Sequence, residues 1–274
     1  MNVAIIGCGY VGTALARYWR QELGFVVTAT TTTPERVAAL EALGAKAVVV
    51  NGNDPEGLRS LLQDQDTVVL SVGAKNANVY EETYLHTAQT LVSVLKQAPN
   101  VRQLLYTGSY GVYGDRNGAS VDESSPVAPA NPNGQILSDT EQVLLSASSD
   151  DLSVCILRLG GIYGPGRELV KIFGRVAGTT RPGKGDDVTN WIHLNDIVAA
   201  IEFARKHRLQ GIYNLVDDAH LRSRELLNKV CEQHNLPKVV WDESQKSVRP
   251  YNARVSNQKI KMAGYQLIHA QMII

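Results

Sequence analysis

A chain of 274 residues that is 44% hydrophobic can bury one substantial core, or a core and a small lobe, but not two large independent domains. With 27 basic against 27 acidic side chains there is no net field to draw it to nucleic acid or an anionic membrane surface, so neither is expected as a partner. Three scattered cysteines, Cys8, Cys155 and Cys231, lack CxxC or Cys/His ligand spacing, which argues against a disulfide framework or metal centre and for a reducing, cytoplasmic setting.

The chain opens with "NVAII", a β-branched run that stops at glycine, and then carries Val11, Leu15, Ala16 and Trp19 at helical spacing. This reads as strand, glycine turn and helix. No basic leader precedes it, and no apolar run reaches membrane-spanning length. "FVVTAT" predicts a second strand and "TPERVAALEALG" a helix, with Thr33 as N-cap, Pro34 at the first position and Gly44 as stop. "AKAVVV" follows as a third strand, "PEGLRSLLQD" and "DTVVLSVG" as helix and fourth strand, "TAQTLVSVLKQA" as a long helix and "VRQLLYTGS" as a fifth strand. "PANPNGQILSDTEQVLL" reads as a helix reached through a turn, and "LSVCILRLGGIYG" as a sixth strand. Strands that are nearly continuous apolar runs, alternating with helices, specify a doubly wound α/β fold with a parallel sheet covered on both faces. After about residue 165 the alternation loosens into glycine- and proline-containing segments.

Three motifs carry chemistry. In "GCGYVG", Gly7 permits a tight turn, Gly9 lets a pyrophosphate approach the backbone and Gly12 lets helix and strand pack, with Tyr10 and Val11 in the phosphate-facing turn. Its place between the first strand and first helix is the context that makes it a dinucleotide site. At the end of the second strand, NAD would call for a carboxylate on the ribose hydroxyls. The chain offers Thr30, Thr31, Thr32 and Arg36, which accept a 2′-phosphate where a carboxylate would repel it. NADP is therefore the expected cofactor and NAD the alternative, although threonines also suit strand and cap positions in their own right. The third motif, "TGSYGVYG", puts Ser109 at the carboxyl end of the fifth strand, where open parallel sheets bind ligands.

With "RLGGIYGPGR", "WIHLNDIVAAI" and "GIYNLVDD" added in order, the chain resembles the atypical and extended short-chain dehydrogenase/reductases of the nucleoside-diphosphate-sugar epimerase/dehydratase branch. The resemblance implies a Rossmann-type NAD(P)-binding domain over residues 1–165. Residues 166–274 would contribute a small substrate lobe, the segments being interleaved. It further implies Ser109 at the catalytic Ser/Thr position, Asn51 near the adenine, and Val72, Gly73 and Ala74 beside the cofactor. Leu159 and Gly160 would lie near the nicotinamide, Arg167 over the substrate pocket, and His193 in a structural role. A small-molecule substrate such as a nucleotide sugar and a homodimer are compatible with it.

One position departs from that family. Its Tyr-x-x-x-Lys pair falls on Asn133 and Leu137, and none of the eleven tyrosines has a lysine four residues later. Asparagine releases no proton near neutral pH, and a lost acid/base typically removes a factor of roughly 10² to 10⁴ in rate. Three readings follow: an atypical oxidoreductase or epimerase using Tyr110 or Tyr113, a non-catalytic NADP(H)-binding regulator, or a non-redox site built on Ser109 and Asn133. Asn133 and Gly134 also suit the turn and cap of their helix. Arg222 and Arg224 read as solvated. The pairs Asp150/Asp151, Asp186/Asp187 and Asp217/Asp218 read as solvent-facing turns rather than metal ligands.

Overall fold

A computed structural model describes residues 1–274. In chain order the elements are β1 (Asn2–Ile6), α1 (Tyr10–Gln21), β2 (Val26–Thr31), α2 (Val37–Glu41), β3 (Lys46–Val49), α3 (Pro55–Leu62), β4 (Thr67–Leu70), α4 (Thr87–Leu95) and β5 (Gln103–Ser109). There follow β6 (Asp115–Val121), α5 (Pro132–Leu145), β7 (Ser153–Leu159), β8 (Gly161–Tyr163), α6 (Leu169–Phe173), β9 (Thr180–Pro182), β10 (Trp191–His193) and α7 (Leu194–Lys206). The chain continues through β11 (Gly211–Leu215), α8 (Ser223–Gln233), β12 (Val240–Asp242), β13 (Asn252–Val255) and α9 (Gln258–Met262). Seven strands form a parallel sheet in the order β3-β2-β1-β4-β5-β7-β11, flanked by helices.

Two compact units share the chain by alternation. The first comprises Met1–Gly108, Pro132–Arg158 and Val198–Tyr213, the second Ser109–Asn131, Leu159–Ile197 and Asn214–Ile274. In the first, every residue of β4 is buried, as a strand covered on both faces requires. Its core joins Ala4, Ile6, Leu58, Val68, Leu91 and Leu104. Helix α1 buries Val11, Gly12, Leu15, Ala16 and Trp19, the stripe its spacing predicts, and the Trp19 indole donates to Glu202 at 2.8 Å. The Asp54 side chain caps α3 by accepting from the Gly57 amide.

Two local expectations are corrected. Thr33 makes no side-chain cap; a 3₁₀ turn at Pro34–Arg36 precedes α2 instead. Helix α5 starts at Pro132, because proline's fixed φ and missing N–H suit the first helical position. Asn133 therefore lies inside the first turn rather than capping it.

The second unit is built from short pairs: β13 with β6, β10 with β8 and β12 with β9. Val121, Ala253 and Val255 pack with Tyr110 and Tyr113 in one cluster, and Tyr163, Leu169, Leu226 and Val230 form another. No helix is long and apolar enough to cross a membrane.

Candidate active site

In the first unit the chain leaves β1 for β2 and β3 on one side, then returns to β4 on the other, which makes a crevice at the strands' carboxyl ends. The three glycines meet it differently. Gly7 has φ +92°, and a Cβ there would lie 2.6 Å from the Ser71 carbonyl oxygen. A Cβ on Gly12 would stand 2.5 Å from the Gly7 carbonyl oxygen. Gly9 and Gly73, by contrast, have nothing within 4 Å of a Cβ position, so two stretches of backbone are open to another molecule. Gly9 also precedes α1, whose first turn has no side-chain cap and no acidic residue. The positive end of that helix suits an anion. Cys8 beside it is inert, because burial pushes its thiol up to about 12.

At the end of β2 the threonines divide. The Thr30 hydroxyl accepts from the Gly7 amide at 3.0 Å, and that of Thr31 accepts from the Thr33 amide at 3.1 Å; both hold the local backbone. Thr32 is exposed. The Arg36 guanidinium donates to Thr13 Oγ1 at 3.1 Å, which brings it across the first turn of α1. Asn51 is exposed beyond β3, and Val72 and Ala74 are half-buried around Gly73.

In the second unit Ser109 Oγ accepts from the Gly111 amide at 3.1 Å and keeps its own proton to donate. Tyr110 and Tyr113, equivalent by sequence, part company. Tyr113 is wholly buried, and its hydroxyl donates to Asn214 Oδ1 at 2.9 Å, a structural commitment. The Tyr110 oxygen instead accepts from Arg249 Nη2 at 3.1 Å, and Arg249 Nη1 donates to Ser223 Oγ at 3.0 Å. Arg249 and Ser223 line a cavity of about 320 Å³ together with Arg181, Phe173, Trp191 and Trp241. Arg167 does not line it. Leu159 is buried, and Gly160 has no room for a side chain, since a Cβ would lie 2.9 Å from the Asn190 carbonyl oxygen.

The model of the NAD dependent epimerase/dehydratase family matches residues 3–215. The chain belongs to that family. Protein YeeZ of Escherichia coli K12 is 33% identical over 225 residues, which span 80% of this chain and 78% of that one. Among solved structures, MoeE5 in complex with UDP-glucuronic acid and NAD superposes with a TM-score of 0.81 at 20% identity, covering 97% of this chain and 94% of the other. The UDP-glucose 4-epimerase of Thermus thermophilus, in complex with NAD, does so with a TM-score of 0.79 at 21% identity, covering 98% and 94%. This epimerase/dehydratase family member is thus related to sugar-nucleotide epimerases and dehydratases.

On the first turns of α5, Asn133 is half-buried and Leu137 buried. One turn on, α5 carries a charge that the sequence reading passed over: Glu141 takes Arg158 in a bidentate pair, with contacts of 2.7 and 3.1 Å. The signal was available, because Arg158 is a cation inside the apolar run "VCILRLGG" and a buried charge needs a partner.

Asp217 corrects a second reading. It is buried rather than a solvent-facing turn residue; its Oδ1 accepts from the Ala219 amide while Oδ2 has no partner. Burial pushes its carboxyl up to about 7, with Asp218 and Asp196 adding to the effect. His193, Asp196 and His269 bring ligand atoms within 4.8 Å of one another; hydrogen bonds already use those of Asp196 and His193 Nδ1, whereas His269 Nε2 has no partner. Asp196 accepts from the Ile268 and His269 amides and from the Tyr265 hydroxyl, and His193 Nδ1 accepts from the Asn195 amide.

Proposed function

We propose that this family member binds NADP(H) in its first unit and a nucleotide sugar in its second, and acts on that sugar by hydride transfer. The observation that carries the reading is the cavity lined by Trp191, Trp241, Phe173, Arg181 and Arg249. Aromatic faces suit a nucleobase, and two guanidiniums, outnumbering the one carboxylate of the lining, Asp187, which accepts from Ser247, suit a diphosphate. Its size falls in the range of small-molecule sites, on the order of 300 Å³ and above. The UDP-glucuronic acid and UDP-glucose complexes of MoeE5 support the substrate class.

The first unit's backbone fits a dinucleotide. Gly7, Gly9, Tyr10, Val11 and Gly12 would hold the pyrophosphate at the start of α1, with Val72, Gly73 and Ala74 on the far side of the crevice and Asn51 near the adenine. Thr32 and Arg36 would hold the 2′-phosphate. When bound, the dinucleotide supplies and accepts the hydride. Ser109 donates to a substrate oxygen. Tyr110, whose oxygen already accepts from Arg249, has its own proton to give, whereas Tyr113 does not reach beyond Asn214. A second reading, binding without turnover, is favoured by Asn133 and Leu137 standing where the family's acid/base pair belongs.

The test is titration with NADPH, NADP, NADH and NAD, followed by a nucleotide-sugar panel with the preferred form. Nucleotide-sugar-dependent change in NADPH absorbance supports the enzyme, and tight binding without turnover favours the second reading. Arg36→Ala should weaken NADP binding roughly 10- to 100-fold, the worth of a charged hydrogen bond, and leave NAD nearly unchanged; equal losses would count against the phosphate role. Arg249→Gln should weaken UDP binding, read by tryptophan fluorescence, by a factor of roughly ten or more. An unchanged affinity would remove the diphosphate from this cavity.

A further inference from the structure

Arg249 is tied at both ends by serine hydroxyls. Its backbone amide donates to Ser247 Oγ at 3.2 Å, and its guanidinium Nη1 donates to Ser223 Oγ at 3.0 Å. Each hydroxyl has one proton of its own, and both protons go to the same residue. Ser247 donates to Asp187 Oδ2 at 2.6 Å, and Ser223 donates to the Asp187 carbonyl oxygen at 3.2 Å. A hydroxyl whose proton is committed in one direction turns its lone pairs in another, here to Arg249. The backbone is held in step. The Ser223 amide also donates to the Asp187 carbonyl, at 2.9 Å, and a Cβ on Gly183, at φ +93°, would lie 3.0 Å from the Ser247 nitrogen. Asp187, which a doubled aspartate marks as a solvent-facing turn residue, instead lines the cavity with both serines and Arg249.

The distance of one hydroxyl between Asp187 and Arg249 has a chemical consequence. A carboxylate bonded directly to the guanidinium would orient it but also take up the charge-assisted hydrogen bonds that a phosphate needs. Both guanidinium hydrogen bonds of Arg249 go instead to hydroxyl oxygens, those of Ser223 and Tyr110. Asp187 thus fixes the direction of Arg249 and leaves its charge to a ligand. A free arginine has many rotamers to lose on meeting an anion, and one already restrained loses fewer.

We propose that Asp187 is a positioning residue for the substrate diphosphate, acting through the Ser247 and Ser223 hydroxyls to hold Arg249 in the cavity wall. The proposal rests on the nucleotide-sugar reading above. UDP binding, read by tryptophan fluorescence, should weaken roughly three- to tenfold in Asp187→Ala, the worth of one lost hydrogen bond. Asp187→Asn, which keeps an oxygen for Ser247 and drops the charge, should retain most of the affinity. A carboxylate acting only by its charge would repel the diphosphate, so both variants would then bind UDP more tightly. That result overturns the proposal, as does an asparagine variant as weak as the alanine one. In an Arg249→Gln background, Asp187→Ala should change the affinity by less than about twofold, because residues of one network do not add; multiplying effects overturn the proposal. Ser247 is exposed, so Ser247→Ala spares the fold should Asp187→Ala not fold, and it should lose roughly two- to fivefold. UDP binding by the unaltered protein with no loss in either alanine variant overturns this proposal alone. Failure of the unaltered protein to bind UDP brings down the nucleotide-sugar reading as well.

Discussion

Glu141→Ala is expected to destabilise the protein by roughly 3 to 5 kcal/mol, and Arg158→Ala by a similar amount, because each leaves the other charge buried without its partner. Both side chains are almost wholly buried, 3% and 4% exposed. Burial pushes the Glu141 carboxyl up, and the bidentate Arg158 only partly opposes it. The pair is therefore costly to assemble as well as costly to break. Replacing both together, as Glu141→Leu with Arg158→Met, should recover most of the loss, since a packed apolar pair of similar volume often matches a buried ion pair. Urea unfolding of the two single variants and the double variant is the measurement. A double variant as unstable as the sum of the singles would mean that the site depends on shape rather than charge.

Asp217→Asn is expected to stabilise the protein at pH 8 by up to about 4 kcal/mol and to change little near pH 4. The carboxyl titrates at about 7 in the folded protein against 3.8 in the ordinary state, so the folded form holds a proton that the unfolded form gives up. A raised folded pKa makes this contribution fully present below pH 3.8; it is lost as pH rises to about 7 and absent above. Each pH unit between the two values is worth about 1.4 kcal/mol, which gives the figure stated. His193 and His220 are lowered by burial and act in the other direction, costing stability as pH falls below 6.5. Comparing the two proteins at each pH separates the aspartate from these histidines. Parallel curves between pH 4 and 8 would show that Asp217 stays ionised.

The glycine turn and the buried stripe of α1 were legible because both are local: the three glycines and Trp19 lie within thirteen residues of one another. Strand β11 was seen as a segment but not as the seventh member of the main sheet, since pairing across distant sequence leaves no local mark. The cavity was hidden for the same reason, because Arg181, Trp191, Trp241 and Arg249 come from separate irregular stretches. Asp217 was misread because a doubled aspartate resembles a turn until its burial is known. Tyr110 and Tyr113 could be told apart only by their partners, Arg249 and Asn214.

The strand order bears on how the protein is made. β7 lies between β5 and β11, all seven of its residues are buried, and its outer neighbour begins about fifty residues later in the chain. At translation rates of roughly 5 to 20 residues per second, that apolar edge stays bare on the ribosome for about 3 to 10 seconds. Bare apolar edges recruit other strands. The nascent chain should therefore depend on chaperones in this interval, and a ribosome stalled after β7 has emerged but before β11 has should yield a species more prone to aggregate than the full-length chain.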